Sequence, residues 1–240
     1  MESVSFTRPD GKAVPALVCG PAGAPAVIVI QEWWGVDFEV KEHAQKIAAL
    51  GYRALVPDLY RGKLGSEAEE AHHLMSALDF PDAVLDILGC ARHLRAEGSP
   101  RVGVTGFCMG GALAIGSAVR GADVLDCCAP FYGYNAQLAD AATLTVPLQG
   151  HFGALDSSKG FSDPAAAAAL AAKCAEATGK DGKPLESEVF SYPTVGHGFL
   201  NATKEGVERK AKLGQGVHDQ AAVDLAWARL AEFFAKHLTA

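Results

Sequence analysis

Short runs of aliphatic and β-branched residues alternate along the chain with longer stretches in which apolar positions recur every three or four residues. The short runs, at 26–31 (AVIVIQ), 53–57, 101–106, 124–129, 146–150 and 186–192, predict strands. The longer ones predict helices over 38–50, 67–77, 81–97, from 109 onward, 164–177 and 217–237. Strands that are apolar throughout have no face to offer to water, so the sheet should be mostly parallel and covered by helices on both faces. At the N-terminus, the runs 3–7 and 13–18 flank Pro9-Asp10-Gly11-Lys12, a turn signal that predicts an antiparallel hairpin. No shift in composition divides the chain, and 240 residues suit one α/β domain over 1–240. In such a sheet, reactive side chains are expected in the loops at the carboxyl ends of the strands.

Composition narrows the partners. With 21 Lys and Arg against 28 Asp and Glu, net charge −7, the chain offers no basic stripe for nucleic acid or for an anionic membrane surface, and a small molecule is the expected partner. The N-terminal MESVSFTRPDGK lacks the basic-then-apolar order of a signal peptide, and no apolar run is long enough to span a bilayer, so a cytoplasmic monomer is expected. The cysteines at 19, 90, 108, 127, 128 and 174 include no C-x-x-C pair and no Cys/His cluster with zinc spacing. Neither a metal nor a disulfide framework is indicated, and no cofactor is expected. Adjacent Cys127 and Cys128 should point to opposite faces of one strand as core filling.

One cysteine stands apart. In Gly106-Phe107-Cys108-Met109-Gly110-Gly111, a strand of small and β-branched residues breaks into a small-residue helix, the sequence of a nucleophile elbow. Glycines two positions before and after Cys108 would leave room where strand and helix cross. At the first turn of the helix, free N–H groups and the positive end of the dipole favour thiolate over thiol.

Such a nucleophile needs a base and a carboxylate to orient it. Asp156 follows the strand at 146–150, and His197, between two glycines, follows the strand at 186–192, giving the order nucleophile, acid, histidine of α/β-hydrolases. His151 and His218 are rival histidines, the first expected to compete for the Asp156 loop and the second to cap the last helix. Asp126 and Asp163 are rival acids.

With the elbow, the segments QEWWGVD (31–37), GYRALVPDLYRG (51–62), GALD (153–156) and GHGF (196–199), together with a terminal AWARLAEFF, make the chain resemble the dienelactone hydrolase family, or carboxymethylenebutenolidases. The resemblance implies an α/β-hydrolase fold in which Cys108 is the nucleophile, His197 the base and Asp156 its orienting acid. It implies that Glu32 receives the cysteine proton in the resting enzyme and that the backbone N–H groups of Trp33 and Met109 form the oxyanion hole. Burial beside two tryptophans would also make Glu32 a better proton acceptor than a free glutamate. Trp33 and Trp34 are expected as pocket wall and packing. Family members anchor a substrate carboxylate with arginines. The position four residues past the histidine is Asn201 here, and SEAEEAHHLMSAL, where the other arginine belongs, holds only His72 and His73. Arg61, after PDLY, is the remaining candidate cation, so preference for carboxylated esters should be weaker in this chain.

The expected activity is therefore hydrolysis of a lactone or other carboxylic ester through a Cys-His-Asp triad and an acyl-enzyme. The alternative is a non-catalytic ligand-binding protein or a thiol sensor of oxidants, which an accessible low-pKa cysteine would also suit.

Overall fold

A computed structural model describes residues 1–239. The elements run β1 (Glu2–Thr7), β2 (Ala13–Cys19), β3 (Ala26–Ile30), α1 (Phe38–Ala49), β4 (Arg53–Pro57), α2 (Ala68–Ser76), α3 (Phe80–Ala96), β5 (Val102–Phe107), α4 (Met109–Arg120), β6 (Cys127–Phe131), β7 (Leu148–Gly153), α5 (Pro164–Glu176), β8 (Ser187–Tyr192), α6 (Lys204–Lys212) and α7 (Gln220–Leu238), with a single 3-10 turn at Ala141–Thr143. The strands form one eight-stranded sheet in the order β1-β2-β4-β3-β5-β6-β7-β8. β1 pairs antiparallel with β2, and β2 with β4; every other pairing is parallel.

Side-chain alternation along the central strands divides the core in two. Ile28 and Ile30 of β3 face α3, α4 and α5, while Val27 and Val29 face α1 and α7. Cys128 falls in the first cluster and Cys127 in the second, so both fill core on opposite faces. The expected mostly parallel sheet, covered on both faces and carrying an N-terminal hairpin, is what the chain forms.

Some boundaries differ from the sequence expectation. β6 begins at Cys127 rather than at 124, because 124–126 turns back from α4: Leu125 N–H donates to the Gly121 carbonyl (2.8 Å) and the Asp126 carboxylate accepts from Val102 N–H (2.7 Å). β7 starts after Pro147, which has no N–H to give, and extends to Gly153 because β8 continues to pair with it up to Tyr192. His151 thus lies within a strand. α7 starts at Gln220, where Asp219, not His218, is the cap, accepting from Ala221 N–H (3.0 Å) and Ala222 N–H (3.3 Å). α6 has no counterpart in the sequence expectation.

Candidate active site

The turn from β5 into α4 gives Cys108 a backbone found almost only under constraint, φ 55° and ψ −118°. Such a conformation costs about 1–3 kcal/mol and persists only where the surroundings enforce it. The enforcement is visible at two glycines. A Cβ on Gly106 would lie 2.1 Å from the Gly110 carbonyl oxygen, and one on Gly110 would lie 2.5 Å from the carbonyl of Gln31 at the end of β3. The elbow therefore sits against the segment that carries Glu32 and the tryptophans. The Cys108 side chain makes no capping bond to its own helix and is half-buried at the carboxyl edge of the sheet.

Cys108 shares a cavity of about 270 Å3 with Glu32, Trp33, Trp34, Met75, Ser158, Phe161, His197 and Gln215. The loops after β3, β5, β7 and β8 thus converge here, at the edge where reactive groups were expected. His197 Nδ1 stands 2.7 Å from Asp156 Oδ2. Asp156 is buried and also accepts from Ser158 N–H (2.9 Å). Burial alone would raise its proton affinity, but His197 and these donors outweigh it and hold the carboxyl below the ordinary carboxylate range. For His197, burial disfavours the charged ring, yet the Cys108 sulfur and the Asp156 carboxylate together push its pKa well above the ordinary histidine value. The arrangement favours the protonated ring of His197.

Ser162, which sequence reasoning missed, completes this line. Its side chain is fully buried, its Oγ lies 3.0 Å from His197 Nδ1, and it helps to hold the Asp156 carboxyl below the ordinary range. Ser162 precedes Asp163, the cap of α5, and nothing in its sequence neighbourhood distinguishes it from a helix-start serine.

Glu32 is buried, and desolvation is the main cause that raises its pKa above the ordinary glutamate value. It is hydrogen-bonded not to Cys108 but to Tyr132 Oη (3.2 Å) and, through both carboxylate oxygens, to Asn201 Nδ2 (3.1 Å each). Asn201 is therefore not a substrate contact in this structure. It is 3% exposed, lies behind Glu32, and its Oδ1 is 3.4 Å from His43 Nε2. A short amide reaches the glutamate and no further. Arg61 is likewise turned away, donating to the Asp58 carbonyl (2.8 Å) and to Asp86 (2.6 Å). Trp33 and Trp34 both line the cavity, edge to face at 5.0 Å, and Arg209 of α6 covers Trp34 at 4.3 Å while pairing with Asp37 (2.7 Å). Among the described residues no Lys or Arg lines this cavity. The Trp33 and Met109 N–H groups have no protein acceptor among the described residues.

The rivals are accounted for. His151 is fully buried and stacked on Phe131 (4.2 Å, 6°). It is bonded to Tyr192 Oη (2.8 Å) and Gln149 (3.0 Å), and burial holds its pKa down at about 3. His218 bonds Gln220 (3.0 Å) at the surface side of α7. Asp126 pairs with Arg95 (2.5 Å) at the amino ends of the strands, and Asp163 accepts from Ala166 N–H (3.0 Å) as a helix cap. Among the described residues no group of three or more His, Cys, Asp or Glu side chains is placed to hold a metal ion, and no helix is long and apolar enough to cross a membrane.

Residues 14–238 match the Dienelactone hydrolase family. Among curated proteins, the chain is 31% identical to Protein usf of Aquifex pyrophilus over 99% of both chains. It is 30% identical to a carboxymethylenebutenolidase of Pseudomonas putida, over 85% of this chain and 88% of that one. Among solved structures it resembles a dienelactone hydrolase from Anabaena variabilis, with TM-score 0.65 and 16% identity over 99% of this chain and 97% of the other, a likeness of fold.

Proposed function

The chain belongs to the dienelactone hydrolase family and is a carboxylic ester hydrolase; from this premise we propose that it cleaves a lactone or other small ester through Cys108, His197 and Asp156. The observation that carries the reading is the pairing of His197 Nδ1 with Asp156 Oδ2 at 2.7 Å on the wall of the cavity that holds the elbow cysteine.

The Cys108 thiolate attacks the ester carbonyl carbon, and the electron pair of the broken π bond moves to oxygen, which accepts from the Trp33 and Met109 N–H groups. Removal of one such donor in other acyl-transfer enzymes costs about 2.7–4 kcal/mol of transition-state stabilisation. Collapse of the tetrahedral intermediate breaks the C–O bond, and the imidazolium of His197 gives its proton to the departing alcohol oxygen. The resulting thioester is attacked by water, whose proton His197 takes while Asp156 stabilises the charged ring. Expulsion of the thiolate releases the carboxylic acid and restores the starting state. Glu32, with its raised proton affinity, is a second acceptor for the thiol proton in the cavity once it gives up its bonds to Tyr132 or Asn201, and taking that proton would free the thiolate for attack.

Cys108→Ala is expected to lower kcat by on the order of 10⁴-fold or more, as loss of a triad nucleophile does elsewhere, with an unchanged circular dichroism spectrum. In His197→Gln, which leaves the thioester without its base, mass spectrometry after an acid quench should find the acyl group on Cys108. Turnover of an ester by Cys108→Ala at the wild-type rate would place the nucleophile elsewhere. Intact alkylation of Cys108 without any acyl adduct would favour the sensor reading.

A further inference from the structure

A second cavity, about 360 Å3, opens beside the first at the carboxyl edge of the sheet. Met75 and Phe161 line both, so the two chambers share one flexible thioether and one aromatic ring in their walls. Leu78, Phe80 and Met109 supply most of the rest of its wall. Met109 is the residue that follows Cys108. Its side chain is 1% exposed and fixed by Tyr60 Oη at 3.4 Å from its sulfur, so this chamber begins next to the backbone N–H that faces the developing oxyanion. One amide stands in it: Asn135 Oδ1 accepts from Gln137 N–H (2.9 Å) and Leu138 N–H (3.3 Å), while its Nδ2 donates to no protein acceptor among the described residues.

Charge is the second observation. No Lys or Arg lines either chamber among the described residues. Arg209, over the Trp34 ring, is paired with Asp37, and Arg61 is held by Asp86. A carboxylated substrate would bring its charge out of water with no cation but His197, which Asp156 already engages, and beside a buried glutamate. An apolar substituent meets no such cost, and it gains contact with Leu78, Phe80 and Phe161. The first chamber, at about 270 Å3, is at the lower end of the volumes of small-molecule sites, so an ester with a sizeable substituent needs the second.

We propose that the second chamber is the subsite for an apolar arm of the substrate, so that the enzyme takes neutral esters or lactones bearing an aromatic or branched aliphatic group, with Asn135 Nδ2 available to an acceptor on that arm. The inference rests on the ester-hydrolase reading for its substrate class, while the binding site itself does not require turnover. Met75, unbranched and with three rotatable bonds, is the shared wall residue that yields when the arm enters.

The test compares kcat/KM for methyl acetate, methyl 3-phenylpropanoate and monomethyl succinate in the wild type and in Leu78→Trp, whose indole would fill the chamber without touching Cys108, Asp156 or His197. The phenylpropanoate should be preferred over both others by about tenfold or more, within the range that a hydrophobic pocket can discriminate. Leu78→Trp should abolish that preference and leave methyl acetate unchanged. Ser76→Trp, at an exposed position on the same wall, should do the same and covers the case in which Leu78→Trp does not fold. Independently of turnover, 3-phenylpropanamide should slow alkylation of Cys108 by iodoacetamide in the wild type and not in either variant. Preference for monomethyl succinate, or a phenylpropanoate preference and amide protection that survive both tryptophans, would overturn the proposal. Protection without hydrolysis of any ester would leave the subsite standing and sink the hydrolase mechanism instead.

Discussion

Two buried side chains shape the electrostatics around His197 and the cavity. Ser162 shares His197 Nδ1 with Asp156 and helps to hold that carboxylate ionised. Removing it weakens the pull that keeps the proton on the ring, so in Ser162→Ala the acid limb of the kcat profile should move to lower pH and kcat should fall about tenfold, the scale of one hydrogen bond to a charged group. Ser162→Thr should restore the limb and Ser162→Val should not; identical pH profiles for all three would leave Ser162 a packing residue. Glu32 makes the opposite case. Desolvation raises its folded-state pKa above the unfolded value, so the stability linked to its protonated form is fully present below the ordinary glutamate pKa and is lost as pH rises through the folded value. Glu32→Gln keeps a side-chain oxygen for Asn201 and removes the charge. Its Tm should exceed that of the wild type at pH 8, by about 2–4 °C for each kcal/mol released, and the difference should close near pH 4. The same variant should lose activity and change the pH dependence of Cys108 alkylation. Melting and alkylation curves that coincide with the wild type across pH would remove Glu32 from both roles.

At the scale of elements, the site depends on how tightly the β5–α4 elbow sits on the end of β3. A Cβ at Gly110 would meet the backbone carbonyls of Gln31 and Ile30 at 2.5 and 2.6 Å, atoms that cannot move without moving β3. At Gly116, two turns further along α4, the nearest atom is the Leu138 side chain at 3.2 Å, which can give way. Gly110→Ala should cost about 1–3 kcal/mol in urea denaturation, as overpacking does, and should reduce kcat far more than Gly116→Ala, because it would displace the N–H groups of Trp33 and Met109, the proposed oxyanion donors. Equal losses in the two variants would mean that this contact is not what sets the elbow. α6 acts from the opposite side. Thr203 caps it, Arg209 closes over Trp34, and the buried Lys210 bonds the Phe199 carbonyl (3.4 Å), so a strongly polar helix braces the pocket wall.

For the whole molecule, the buried histidines set the response to acid. His43 and His151 are both held near pKa 3 by desolvation, well below an unfolded histidine. A depressed folded-state value means that the unfolded chain binds the extra proton first. Stability is therefore full above about pH 6.5 and falls as pH drops towards 3, by up to about 1.4 kcal/mol per unit for each histidine. Urea midpoints at pH 7, 5 and 4 should fall steeply for the wild type and less so for His151→Gln, which keeps an amide within reach of Tyr192 and Gln149. Parallel curves for the two proteins would refute the assignment. Because His151 lies in β7 and outside the cavity, the same variant should hydrolyse esters normally.

The periodicities of the chain determined the alternating strands and helices and hence a parallel sheet covered on both faces, since apolar runs admit no solvated side. Local sequence also singled out Cys108, Asp156 and His197, because an elbow and two loop residues after strands are written in consecutive residues and in chain order. What local pattern could not determine is what depends on contacts between distant segments. α6 was illegible because it buries little beyond Gly206 and Lys210 and so has no apolar stripe to read. The β6 and β7 boundaries were set by their neighbours' hydrogen bonds rather than by their own hydrophobicity. Asn201 read as a vacant cation site, yet folding laid it across both oxygens of Glu32, 169 residues away, and Ser162 came within 3.0 Å of His197 Nδ1 only because the start of α5 packs over the histidine loop. Reach and burial, not residue type, assigned those roles, and both are properties of the assembled tertiary structure.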